Sequence, residues 1–190
     1  MGYTREELMT AVSAGMPAKR WQHVEGVMES AVILAKRYGG DPEKADLAAL
    51  LHDLAKFWPI DEQEAIIRDN DLNRELLAYD KQLLHAEVGA FIARRDYGVE
   101  DQEVLDAVRY HTSGRINMTL LDKIVCLADY IEPGRNFPGV ERIRELAETR
   151  LDDALIAGFD STISFLLEKH KVIFPMTVLA RNDLIQNKTE

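Results

Sequence analysis

Between Asp46 and Lys56, the leucines Leu47, Leu50, Leu51 and Leu54 recur at i, i+3, i+4 and i+7. That spacing specifies a helix with one buried stripe. His52 and Asp53 stand beside the stripe, where packing alone gives no reason for them. Adjacent helical residues point about 100° apart, so the two cannot crowd one side of a common atom. They can flank a metal ion, with the carboxylate free to bridge to a second one. The remaining segments either supply further ligands or leave the doublet isolated.

Similar periodic segments follow one another along the chain. Thr4 and Glu7 have the spacing of a capping box, so a short first helix starts there. Gly15 and Pro17 separate it from a helix over 18–38, with Trp21, Val24, Val27, Met28, Ala31, Val32 and Ala35 inward and His23 near its start. Asp41-Pro42 opens the His52-Asp53 helix, and Trp58-Pro59 closes it. A short helix over 61–69 and a polar loop over 69–74 come next. A helix over 82–97 carries His85 at its start, and one capped by Asp101 ends at His111. Thr112 to Arg115 forms a turn. The apolar helix 120–131 contains Asp129 and is broken by Pro133-Gly134. Segments 140–149 and 151–171 are helical by period, and a last helix runs from Pro175 towards Ile185, leaving 186–190 frayed. No strand pattern, repeat or linker interrupts the series. The expected fold is an all-α bundle of roughly eight to ten helices. It forms one domain over 1–190, with a core over about 18–150 and helices within 151–187 packed on it.

The formal net charge of −10 argues against a broad nucleic-acid footprint, which needs a basic face. A phosphorylated small substrate remains compatible if metal ions or a few Lys and Arg gather locally. No apolar run approaches the length of a membrane span, and the N-terminus lacks the charged-then-apolar order of a secretory signal. The single cysteine, Cys126, permits no internal disulfide and suits a reducing cytoplasm. It reads as a small buried hydrophobe.

Four of the five histidines, His23, His52, His85 and His111, lie on separate segments, in series with Asp53 and Asp129. Imidazole and carboxylate ligands suit Fe, Mn, Co, Ni or Zn, and the absence of a cysteine cluster argues against a structural zinc site. Asp129 sits among Ile124, Val125, Leu127, Ala128 and Ile131. It is expected to be buried, hence paired or metal-bound. His170 falls at a helix C-terminus, where a cation complements the dipole, and stays outside the site. Glu25 and Glu87 are expected to be exposed.

The order His23, His52-Asp53, Asp129 resembles the HD superfamily of metal-dependent phosphohydrolases, with His85 and His111 resembling the extra pair of its two-metal members. The stretches around His85-Ala-Glu-Val-Gly89, Asp106 to Gly114, Leu121 to Arg135 and Pro138 to Val140 closely resemble the YqeK family, bacterial enzymes that cleave diadenosine tetraphosphate symmetrically. The resemblance spans roughly 21–147. It implies hydrolysis of diadenosine tetraphosphate to two ADP, with iron as the native metal and Mn, Co or Ni as substitutes. It also implies a purine nucleotide partner. Residues His23, His52, Asp53 and Asp129 would hold the first ion, with Asp53 bridging to a second on His85 and His111. If the second site is empty, His85 and His111 would contact phosphate.

Lys56, one turn after Asp53, either reaches a phosphate oxygen or is a solvated lysine. Arg135 is expected to clamp phosphate, Thr112 and Gly114 to offer a hydroxyl and backbone N–H groups, and Arg20 is a further candidate. Arg142 and Arg144 read as surface ion-pair residues. Phe137 and Ile173 to Pro175 could wall a purine or belong to the core. Rival readings are a nucleotidase, a guanosine alarmone hydrolase, a metal-binding sensor without turnover, or scattered histidines in a bundle. A cyclic-dinucleotide phosphodiesterase would call for His-His-Glu and Gly-Tyr-Pro runs, which this sequence lacks. A homodimer is compatible with the sequence and is not specified by it.

Overall fold

The computed structural model describes residues 2–187. Among them, ten α-helices form and no strand does: α1 Arg5–Ala14, α2 Ala18–Tyr38, α3 Pro42–Leu51, α4 Ile60–Asp69, α5 Leu84–Arg95, α6 Gln102–Tyr110, α7 Leu120–Ile131, α8 Val140–Ala147, α9 Leu151–Glu168 and α10 Pro175–Gln186. Two short 3₁₀ segments, Arg74–Ala78 and Lys81–Leu83, precede α5.

The helix starts follow from capping chemistry. The Asp41 carboxylate accepts the backbone N–H groups of Glu43 and Lys44, and Asp101 does the same for Glu103 and Val104. Thr4 with Glu7, and Thr119 with Asp122, each form a reciprocal capping box. Gly39 closes α2 at φ +76°, where a side chain would be strained.

Helix α7 runs through the middle of the bundle, and Leu121, Ile124, Val125, Cys126, Leu127 and Ala128 are all buried on it. A helix apolar on most of its surface must be enclosed. Helices α2, α3, α6 and α9 pack around it, and α5 lies against α6. Helix α9 also packs on α8 and α10.

Several boundaries differ from the sequence expectation. Helix α3 ends at Leu51, although the leucine stripe continues to Leu54. Beyond it, the N–H groups of Leu54, Lys56 and Trp58 reach back three residues, to Leu51, Asp53 and Ala55. The chain thus tightens into successive 3₁₀-type turns. His52 and Asp53 therefore stand at a helix end, not within a helix. At the C-terminus, Gln186 is still helical and Asn187 caps α10 through Asp183. The rest of the expected frayed tail lies outside the described residues.

Two charged side chains are placed differently from expectation. Glu87 is buried, 7% exposed, and faces Arg109 at 3.3 Å. It lies on the face of α5 turned towards α6, where Arg109 offsets its charge. Arg144 does pair with Glu141, but it also donates to the carbonyls of Ile131, Glu132 and Arg135. It thereby satisfies acceptors left over where α7 ends, which a surface ion pair would not.

Candidate metal centre

Helices α3 and α6 each end one residue before a histidine. His52 and His111 keep right-handed helical backbone angles as C-caps. The last four carbonyls of a helix lack intrahelical partners. His52 Nδ1 meets the Ala49 carbonyl at 2.6 Å, and His111 Nδ1 meets that of Val108 at 2.7 Å. His85 Nδ1 meets the Gln82 carbonyl at 2.6 Å. A carbonyl only accepts, so each Nδ1 carries the hydrogen. The neutral ring then presents its Nε2 lone pair on the other side.

Those Nε2 atoms converge on Asp53. Asp53 Oδ2 lies 3.1 Å from His52 Nε2 and 3.7 Å from His23 Nε2, and Oδ1 lies 3.2 Å from His85 Nε2. His23 Nε2 is also 3.0 Å from Asp129 Oδ1. His85 Nε2 and His111 Nε2 are 3.2 Å apart. With both Nδ1 atoms protonated, two lone pairs face each other there, an arrangement that calls for a cation between them.

The donor set fits a metal on this structure's own terms. His23 Nε2, His52 Nε2 and Asp53 Oδ1 are buried and lack hydrogen-bond partners. Two triads, His23–His52–Asp129 and His52–Asp53–His111, each place their ligand atoms within 4.8 Å of one another. The negative ends of the α3 and α6 dipoles also lie here, favouring positive charge.

Electrostatics agree with this arrangement for the two carboxylates, His85 and His111, whereas Asp53 raises His52 against its burial. Burial alone would raise the Asp53 carboxyl, but His52 and His85 outweigh it and hold it well below the usual range. Asp129 is likewise held low against burial, chiefly by Arg135 and His23. Burial pushes His111 down to about 3, reinforced by His52 and His85. Burial also lowers His85. Neutral imidazoles are the form a metal requires.

Asp129 departs from expectation. Its side chain is 18% exposed, because it lies where α7 emerges from the core and faces an open cleft. Arg135 donates to the Asp129 carboxylate through Nη2 and to its carbonyl through Nε at 2.7 Å. Arg20 forms the matching ion pair with Asp53. Lys56 is half-buried beside them, and burial lowers its ammonium pKa against the pull of Asp53. Thr112 lines the cleft with His111. Gly114, at φ +65°, turns the chain beneath it. Phe137 lines the same cleft. Phe174 is buried against Tyr79 and is core, and His170 is exposed in the turn after α9. Arg142 pairs with Glu145 on the surface.

Sequence reasoning missed Glu132. It is 4% exposed, and its Oε1 accepts from His23 Nδ1 at 3.0 Å. It orients the one converging histidine that no backbone carbonyl holds. A signal for it does exist in the sequence. Gly26, inside α2, has no reason to be glycine on propensity grounds. A Cβ there would lie 2.7 Å from Glu132 Oε2.

The HD domain family matches residues 20–134. Over 181 residues the chain is 47% identical to the symmetrical bis(5'-nucleosyl)-tetraphosphatase of Bacillus subtilis, covering 95% of this chain and 97% of that one. The Halalkalibacterium halodurans protein of the same name is also 47% identical, with the same coverage. A crystal structure from Clostridium acetobutylicum, described as a predicted HD superfamily hydrolase involved in NAD metabolism, superposes with a TM-score of 0.93 at 39% identity. The match covers 98% of this chain and 99% of that one.

Proposed function

The chain belongs to the HD domain family, and on that premise we propose that it hydrolyses diadenosine tetraphosphate at the middle of its phosphate chain, giving two ADP. The observation that carries this reading is the convergence of four imidazole Nε2 atoms on Asp53 and Asp129, beside Arg20, Lys56 and Arg135. Near full-length likeness to enzymes named for that reaction supports it.

The two oxygens of Asp53 divide the histidines as a bridge would, with Oδ2 towards His23 and His52 and Oδ1 towards His85. We assign His23, His52, Asp53 and Asp129 to one ion. His85 and His111 take a second ion, or contact phosphate directly. Iron is the expected native metal, with manganese, cobalt or nickel as substitutes. When bound, such ions supply an activated water and offset charge on the phosphate under attack.

The rest falls to the chain's own groups. Arg20 and Arg135 each already face a carboxylate at the centre, and their remaining N–H groups suit phosphate oxygens. Lys56 adds a compact charge, and Thr112 a hydroxyl. Water oxygen bonds to one central phosphorus, and that same phosphorus loses its bond to the bridging oxygen, which stays on the other phosphorus. One ADP leaves with the bridging oxygen, and the released protons pass to solvent.

We read 1–190 as one catalytic unit. No described helix is long and apolar enough to cross a membrane. A cytoplasmic setting, with its nucleotide pool, suits a chain whose one cysteine is a buried free thiol.

Chromatographic product analysis tests the reaction. Iron- or manganese-loaded protein given diadenosine tetraphosphate should yield ADP alone, and Asp53→Ala should yield none. AMP with ATP would move the cut to another phosphate. Phosphate release from mononucleotides, or cleavage of NAD, without turnover of the tetraphosphate would replace this substrate.

A further inference from the structure

Two cavities adjoin the metal centre and share Arg135 as a wall. Their volumes are nearly equal, about 830 and 840 Å³. Arg20 and His23 also bound the first, and His111 and Asp129 the second. Each is within the usual range for a small-molecule pocket, about 300–1,000 Å³. Each also contains one exposed phenylalanine: Phe57, 51% exposed, in the first, and Phe165, 53% exposed, in the second. Neither ring belongs to the hydrophobic core.

From this pairing we infer that the site is two-sided. Each nucleoside of the dinucleotide occupies its own cavity, with one base against Phe57 and the other against Phe165. The phosphate chain crosses the metal centre between them, past Arg135. This rests on the proposed reaction and adds to it where the two bases sit.

The chemistry requires such a layout. Cutting a four-phosphate chain at its middle places the two central phosphorus atoms at the ions. Equal nucleoside phosphates then extend to either side. A single pocket would fix one end and leave the cut to chain length alone, whereas two similar pockets centre the chain. An exposed ring in a cleft offers a stacking face that suits any base. Phe57 lies in the tight turns that follow the His52-Asp53 doublet, so its position is tied to the ligands themselves.

Calorimetric titration of the manganese-loaded protein with ADP should show two ADP bound per chain. Phe57→Ala and Phe165→Ala should each remove one of them and spare the other. Against diadenosine tetraphosphate, each variant should lower kcat/KM by roughly tenfold or more, mainly through KM, since a stacked base is worth about that on truncation. The double variant should multiply the losses. Both rings are exposed, so the melting temperature should not move. One ADP per chain in the wild type, or an undiminished kcat/KM in either variant, would overturn the inference. Two ADP per chain without hydrolysis of the tetraphosphate would uphold the two cavities and sink the proposed reaction. Hydrolysis to ADP with a single ADP site would do the reverse.

Discussion

His23 differs from the other three converging histidines in what holds it. Its Nδ1 is bound by the Glu132 carboxylate, while the others use main-chain carbonyls. A carboxylate behind an imidazole fixes its tautomer and ring orientation. Glu132→Gln keeps the shape and removes the charge. It should weaken metal binding by about 10- to 100-fold, as outer partners of ligands do, measured by competition with a chelator. An unchanged affinity would mean that His23 needs no such support, or is no ligand. The glycines around Glu132 fit this role. A Cβ at Gly134 would sit 3.0 Å from Glu132 Oε2, and one at Gly26 closer still.

Among the elements, the turn between α6 and α7 links the His111 helix end to the C-terminal helices. Gly114 stands in it at φ +65°, and an added Cβ would lie 2.6 Å from Phe159 Cζ and 2.8 Å from Ala180 Cβ. Gly114→Ala combines a left-handed backbone penalty of about 1–2 kcal/mol with overpacking of about 1–3 kcal/mol. Denaturant unfolding should show a loss of at least roughly 2 kcal/mol from those two sources; a loss under half of that would show that α9 and α10 yield easily. The helices themselves were legible in the sequence because apolar period and capping residues agree at almost every start. The end of α3 was not, because Leu54 prolongs the stripe past the point where the backbone tightens. The convergence of His23, His52, Asp53, His85, His111 and Asp129 was legible because such groups seldom recur in series without a shared partner. Glu132 was not, because an acidic residue at a helix end is ordinary, and only a glycine on a different helix marks it. The buried Glu87–Arg109 pair was hidden for a similar reason, since charged residues on a helix usually face solvent.

For the molecule as a whole, the buried histidines set how stability depends on pH before any metal is added. His85 and His111 are lowered below the ordinary 6.5, chiefly by burial. In the unfolded chain they take up protons as the pH drops through 6.5, and in the folded chain they do not. Their contribution is therefore complete above about pH 6.5 and is lost as the pH falls towards about 3. Burial lowers His52 too, but Asp53 outweighs it and raises it, so His52 works in the opposite sense. Asp53 and Asp129, held low, add a loss of stability only further down, in the carboxylate range. Metal-stripped protein should melt at a lower temperature near pH 5 than near pH 7, and His111→Gln should flatten that slope. Equal slopes in the two proteins would show that His111 is not the buried neutral base described.

A main-chain carbonyl cannot be changed by a point mutation. Ala49, Gln82 and Val108 can each be exchanged for another residue without removing the oxygen that aims a neighbouring imidazole. Three of the four rings thus inherit their orientation from the path of the backbone, and drift in the surrounding sequence can erode it only by moving a helix end. The fourth depends on a carboxylate that one nucleotide change can delete, which makes the α2 side of the centre the place where a lineage would first lose it.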